Sequence, residues 1–158
     1  MDAKEEFERL GAEEEELAFK SFSRRDAWNL GSLIVEKTKN NPQPLGLEIY
    51  LGGLLVFRYF PAGVTRDHEL WLSRKKRTVE LREMSSLRMK RMAEKNGSSI
   101  SDWKLDPNDY FLGGGGYPVN IKNTGMIGVI LATGTNDIDE HNAIVGAVRE
   151  YRASLGYS

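Results

Sequence analysis

The stretch Leu45-Gly46-Leu47-Glu48-Ile49-Tyr50-Leu51-Gly52-Gly53-Leu54-Leu55-Val56-Phe57-Arg58-Tyr59-Phe60 decides the fold. Two runs rich in branched and aromatic residues, 45–51 and 54–60, flank a Gly-Gly pair. A two-residue turn between antiparallel strands needs positive φ, which glycine adopts without steric cost. The stretch therefore reads as a β-hairpin. Asn40-Asn41-Pro42-Gln43-Pro44 breaks whatever precedes it, and Pro61-Ala62-Gly63 closes it.

On the N-terminal side, Ser23 with Asp26 three residues later resembles a helix start. Ala27, Leu30, Gly31 and Ile34 then recur at helical spacing to about Lys37, with Trp28 and Leu33 widening the apolar face. Residues 2–20, rich in Glu, Lys, Leu and Ala, read as one or two short helices interrupted near Gly11. Residues 1–22 are thus taken as an acidic helical arm and 23–158 as a single domain.

On the C-terminal side the spacing predicts one long helix over 67–95, with Leu81, Met84, Leu87 and Met92 as its buried stripe, ended by Gly97-Ser98-Ser99. Two further strands are expected, over 117–121 and 126–132. The second is apolar on both faces and so belongs in the middle of a sheet. Asp137 with Glu140 resembles a capping box for a last helix, whose core stripe is Ile144, Ala147, Val148 and Tyr151. Strands joined by tight turns, with helices before, between and after them, give an α+β domain built on a central antiparallel sheet.

The chain has 158 residues, of which 40% are hydrophobic and 28% charged, enough for one domain that folds by burial alone. With no cysteine there is no disulfide, thiolate metal site or thiol nucleophile, and a cytoplasmic location is expected. The acidic first residues lack the apolar core of a leader, and no apolar run approaches the roughly 20 residues of a membrane span, so no membrane partner is expected. Glu13-Glu14-Glu15-Glu16 and Arg74-Lys75-Lys76-Arg77 form opposed charge blocks, yet the net charge is −1. No nucleic-acid partner is expected of a chain that is not basic as a whole. The basic block reads instead as a solvated helix face or a partner for the acidic one.

Four groups of residues are candidates for chemistry. His68 and His141 are the only histidines, so no closed metal site is expected. His141, expected in the first turn of the last helix, where the helix dipole disfavours a cation, is the candidate acid–base residue, with Glu140 as its orienting partner. Trp71, Arg74 and Lys75 fall within about one turn, where an aromatic plate beside two cations suits a planar anion or an oligomer interface. The run Gly113 to Gly116 matches no phosphate-loop pattern and is followed by a strand. Gly114 and Gly115 are read as places of close backbone approach that wall a pocket, together with Tyr117. Met84 and Ser85 complete the candidate ligand-binding set, both expected inside the long helix.

Asp26-Ala27-Trp28-Asn29-Leu30-Gly31, Trp71-Leu72-Ser73-Arg74-Lys75, the run from Leu105-Asp106-Pro107 through Gly114, Gly115, Tyr117 and Pro118, and Gly125 to Gly128 followed by Glu140-His141 occur in an order that resembles the HbpS/GlcG-like family of heme-degrading domains. Within the family it more closely resembles a branch of small proteins, and the likeness covers about Asp26 to Tyr151. The resemblance implies a profilin-like α/β/α sandwich and assembly into a homo-oligomer, a dimer or a larger ring; a small organic ligand is a further expected partner. The branch carries Arg-Phe-Gly-His-Ser-Ser where this chain reads Leu81-Arg82-Glu83-Met84-Ser85-Ser86, so Met84 replaces one motif histidine and Gly113 a second. Haem is the cofactor that the resemblance implies. With both histidines replaced no cofactor is expected, Met84 and His141 being the side chains left that are of a kind to ligate iron. The functional expectation is an oligomeric small-molecule-binding or assembly protein, the alternative being a cofactor-independent isomerase or cyclase.

Overall fold

The computed structural model describes residues 1–158. The elements are α1 (Ala3–Glu16), α2 (Arg24–Thr38), β1 (Gly46–Leu51), β2 (Leu54–Tyr59), α3 (Arg66–Arg82), α4 (Ser86–Asn96), a 3-10 turn (Pro107–Asp109), β3 (Gly116–Ile121), β4 (Gly125–Thr133) and α5 (Asp137–Ser154). The hairpin forms where the Gly-Gly pair places it, with φ of 56° at Gly52 and 82° at Gly53 and Leu51 facing Leu54. β4 lies antiparallel to β1, pairing Leu47 with Ala132 and Ile49 with Ile130, and β3 pairs with β4, so the sheet order is β2-β1-β4-β3.

This order explains why β4 is apolar on both faces. Ile130 and Ala132 join the main core beneath α2 and α5, while Val129 and Leu131 meet Leu72 and Val79 of α3 on the opposite face. The result is an α+β domain in which an antiparallel sheet lies between helices. Burying one leucine, isoleucine or valine completely is worth about 1.5–3 kcal/mol, and the wholly enclosed Leu30, Ile34, Leu47, Ile49, Ile130 and Ile144 dominate the larger cluster. α2 begins at the expected capping box, the Ser23 side chain accepting from Asp26 N–H and the Asp26 carboxylate accepting from Ser23 N–H.

Three local expectations change. The helix over 67–95 is two helices: Glu83 turns left-handed at φ 56° to end α3, and the Ser85 hydroxyl accepts from Arg88 N–H at 3.1 Å to begin α4. Leu81 is therefore exposed and Met84 sits half-buried in the connecting turn, while Leu87, Met89 and Met92 carry the buried stripe. At the N-terminus, α1 runs unbroken through Gly11, whose missing side chain admits the Arg88 guanidinium: a Cβ there would lie 2.6 Å from Nη2. At the other end, α5 is capped by Asn136, whose side chain accepts from Asp139 N–H at 2.9 Å, and not by an Asp137–Glu140 box, because the Glu140 carboxylate is engaged elsewhere.

α1 lies against α4 with Leu10 fully buried. The chain that follows runs beside β3, Phe19 N–H donating to Asn120 O and Lys122 N–H to Phe19 O, each at 2.8 Å. That covers one edge of the sheet and leaves β2 as the open edge. No helix is long and apolar enough to cross a membrane.

Candidate functional site

A surface depression of about 300 Å³ opens where α3, the end of β4 and the start of α5 meet. Lys75, in the middle of α3, forms its floor. Its Nζ donates to Ala132 O and to Glu140 Oε1, both at 2.8 Å, and the two charged side chains are each about 4% exposed. Glu140 Oε2 accepts from Gly134 N–H at 2.8 Å and Thr135 N–H at 3.1 Å, so one carboxylate ties α5 to α3 and to the turn after β4. Burial pulls the Lys75 ammonium below its usual range and pushes the Glu140 carboxyl above its own, their mutual attraction notwithstanding.

Trp71, one turn before Lys75, meets Phe111 edge to face at 5.3 Å, and the two rings form the apolar wall. Asp67, His68 and Asp137 complete the rim. The Nδ1 of His68 accepts from Thr65 N–H at 3.0 Å, so the neutral ring carries its proton on Nε2.

Of the sequence candidates, Trp71, Lys75 and Glu140 converge here. Arg74 instead stacks its guanidinium 4.5 Å over the Trp71 ring, with Nε donating to Asn108 O at 3.0 Å. The expected cradle of two cations for a planar anion does not form, because the charge of Lys75 is met by Glu140 and the rim is acidic. The rest of the basic block is also engaged within the chain, Lys76 pairing with Glu80 and Arg77 donating to Asp109 O. It does not meet the acidic block, whose Glu16 pairs with Arg149 and whose Glu14 approaches Arg88.

Gly114 and Gly115 thread between the two helices. The Gly114 N–H donates to Asp137 Oδ2 at 3.1 Å, and a Cβ on Gly114 would lie 2.0 Å from Asp137 O. Gly115 adopts φ 116°, where a Cβ would come within 2.6 Å of Lys75 Nζ. These glycines allow close approach of the backbone to Lys75 and α5.

His141 faces away from the depression. Successive helix residues point about 100° apart, so Glu140 reaches Lys75 while His141 is enclosed at 2% exposure between α1 and β3, edge-on to Tyr117 with ring centres 5.7 Å apart. Its Nε2 lies 3.5 Å from Glu13 Oε1, and Glu140 is not its partner. Neither ring nitrogen, nor the Tyr117 hydroxyl, nor Glu13 Oε1 has a hydrogen-bond partner.

Beside them the Glu14 carboxylate accepts from Ser85 N–H at 3.2 Å and from the Ser85 hydroxyl at 2.8 Å. Burial pushes Glu14 up to about 7 in spite of those bonds. Ser86 is buried and accepts from Gly116 N–H at 2.9 Å. Ser85, Tyr117 and His141 thus form an interior polar cluster with Glu13 and Glu14, apart from the Trp71 depression, and Met84 lines neither.

Sequence reasoning missed Phe111, Asp67, Asp137 and the Thr133–Thr135 turn as wall and rim, and Glu13 and Glu14 as partners of the polar cluster. The spacing of His68 and Trp71 places both on one face of α3 and was a usable signal. Nothing in the sequence indicates that the acidic helix docks over His141.

A four-stranded antiparallel sheet, with α2 and α5 on one face, α3 on the other and a pocket at the α3–α5 junction, defines a class of small layered α+β domain. The family described as "Haem degrading protein HbpS-like" matches residues 22–149, and the chain belongs to that family. A UPF0303 protein of Rhizobium etli is 32% identical over 148 residues, 94% of this chain and 90% of the relative. The crystal structure of the Ybr137w protein superposes with a TM-score of 0.84 at 24% identity, covering 94% of this chain and 89% of that one. A structure titled a PduOC:heme complex gives a TM-score of 0.67 at 15% identity, covering 82% and 94%. These two structural likenesses establish the shared fold.

Proposed function

We propose that this chain is an oligomeric small-molecule-binding protein whose ligand occupies the Trp71 depression. The supporting observation is the Trp71–Phe111 aromatic wall standing over the enclosed Lys75–Glu140 pair. Two rings supply apolar contact and fixed polar groups at the floor orient what lies on them, the usual construction of a small-ligand pocket. A volume of about 300 Å³ suits a compact ligand. The cofactor-independent isomerase or cyclase would need a substrate to reach His141, which is enclosed and lines no part of the depression. The engaged basic block speaks against nucleic acid as the partner, and the absence of cysteine fits a cytoplasmic setting.

Haem, implied by the family, does not fit the side chains of one protomer. To ligate iron through Nε2, His68 would have to move its proton to Nδ1 and give up the bond from Thr65 N–H. His141 is enclosed under α1, and Met84 lies in the turn between α3 and α4, outside the depression.

Native mass spectrometry of the protein isolated from its own cells tests the reading. A homo-oligomer carrying one small organic molecule per chain is expected, and Trp71→Ala should lose that molecule while keeping the oligomer. A ligand retained by Trp71→Ala would place binding elsewhere.

A further inference from the structure

The Lys75–Glu140 pair invites more than a structural role. Both side chains are almost wholly enclosed, yet both line the open depression that Trp71 and Phe111 also line. Two of the three ammonium protons are placed, one on Ala132 O and one on Glu140 Oε1, each at 2.8 Å. The Phe111 ring centre stands 5.6 Å from Nζ. A lysine in dry surroundings, with a carboxylate in hydrogen-bond contact and an aromatic-walled space beside it, has the parts that carbonyl condensation requires: an amine nitrogen, an adjacent group to take its proton and a site that holds the carbonyl compound.

We infer that Lys75 is a nucleophile that forms an imine with a small aldehyde or ketone bound against Trp71 and Phe111, with Glu140 as its proton carrier. The inference rests on the binding reading for this depression and names the substrate class. The ammonium passes one proton to Glu140, and the amine lone pair attacks the carbonyl carbon. A nitrogen–carbon bond forms as the carbonyl π bond opens, and Glu140 returns a proton to the oxygen while taking one from nitrogen. Protonation of the resulting hydroxyl by Glu140 expels water as the carbon–nitrogen double bond closes. The products are a protonated imine beside the Glu140 carboxylate and one water molecule; nothing is oxidised or reduced. Burial of the pair disfavours its charged form, which favours the transfer of a proton from Lys75 to Glu140 that opens the sequence. The shared hydrogen bond lets the proton move without crossing solvent.

The test uses the unmodified full chain. Benzaldehyde is added near neutral pH with sodium cyanoborohydride, which reduces an imine to a stable benzyl amine, and the site is found by peptide mass mapping. One benzyl group per chain on Lys75 is expected, acquired at least about tenfold faster than at the exposed Lys20 and Lys122, with a rate that levels off below the pH range in which exposed lysines react. Label spread over exposed lysines with Lys75 untouched overturns the inference, and so does a Lys75 rate no greater than theirs. Native mass spectrometry separates the two readings. A Trp71-dependent ligand with an unreactive Lys75 leaves binding standing and removes the imine, whereas loss of both removes the site.

Discussion

Single residues set the stability of this chain through groups that should be costly to bury. Glu14 is the clearest. Burial raises its carboxyl from the ordinary value of 4.5 to about 7, against the hydrogen bonds of Ser85 and the nearby Arg88. A folded-state pKa above the unfolded one means that the native chain holds the proton more tightly. The associated stability is fully present below about pH 4.5 and is lost as pH rises through about 7. The shift corresponds to on the order of 3 kcal/mol at most, since one pKa unit is about 1.4 kcal/mol. Glu14→Gln, which keeps the shape and cannot ionise, should match the parent in urea unfolding near pH 4.5 and exceed it above pH 7.5; parallel pH curves for the two proteins would show that Glu14 does not titrate in this range. The sequence shows a run of four glutamates and no more. Which of them is buried depends on Ser85 and Arg88, 71 and 74 positions further along the chain.

Elements follow local chemistry where that chemistry is self-sufficient. The Gly52-Gly53 hairpin and the Ser23–Asp26 capping box form as the sequence indicates, because a positive φ and a three-residue reach are local properties. The segment 67–95 reads as one helix because helical periodicity continues in phase across Glu83 and Met84, and it forms two because Ser85 and Ser86 find better partners in Arg88 N–H, Glu14 and Gly116 N–H. α1 shows the converse. Its composition is that of a solvated arm, yet Leu10 is completely enclosed against the rest of the domain. Leu10→Ala should cost about 2–5 kcal/mol in denaturant unfolding, as for other buried leucines. A change within about 0.5 kcal/mol, typical of surface positions, would show that α1 contributes little to the folded state.

At the scale of the whole molecule, the unsatisfied surface lies at the β2 edge. Trp28 is 56% exposed, Leu54 51% and Tyr59 46%, around a strand with one free hydrogen-bonding side. β2 is the only sheet edge left open, since the residues after α1 cover β3. Exposed aromatics beside an open strand are what self-association buries. The proposed oligomer should therefore depend on this face: Trp28→Glu is expected to reduce assembly size in light scattering while leaving the far-ultraviolet circular dichroism unchanged. An unaltered assembly would place the interface elsewhere.

The sequence by itself determined the alternation of apolar and turn residues, and with it the two hairpins, the central position of β4, the flanking helices and the family. These are properties of nearest neighbours and of periodicity, which the chain carries in one dimension. It also marked Trp71, Lys75 and Glu140 as residues of interest, without indicating that they meet. Only the tertiary structure decided the pairing. Lys75 and Glu140 are 65 positions apart and come together because α3 and α5 converge past the end of β4, with Gly114 and Gly115 lacking the side chains that would hold them apart. His141, adjacent to Glu140 in sequence, is turned by the helix into a different environment, with Nε2 3.5 Å from a carboxylate oxygen of Glu13, 128 positions earlier. Direction around a helix and closeness across a fold are three-dimensional quantities, fixed by packing rather than by spacing along the chain.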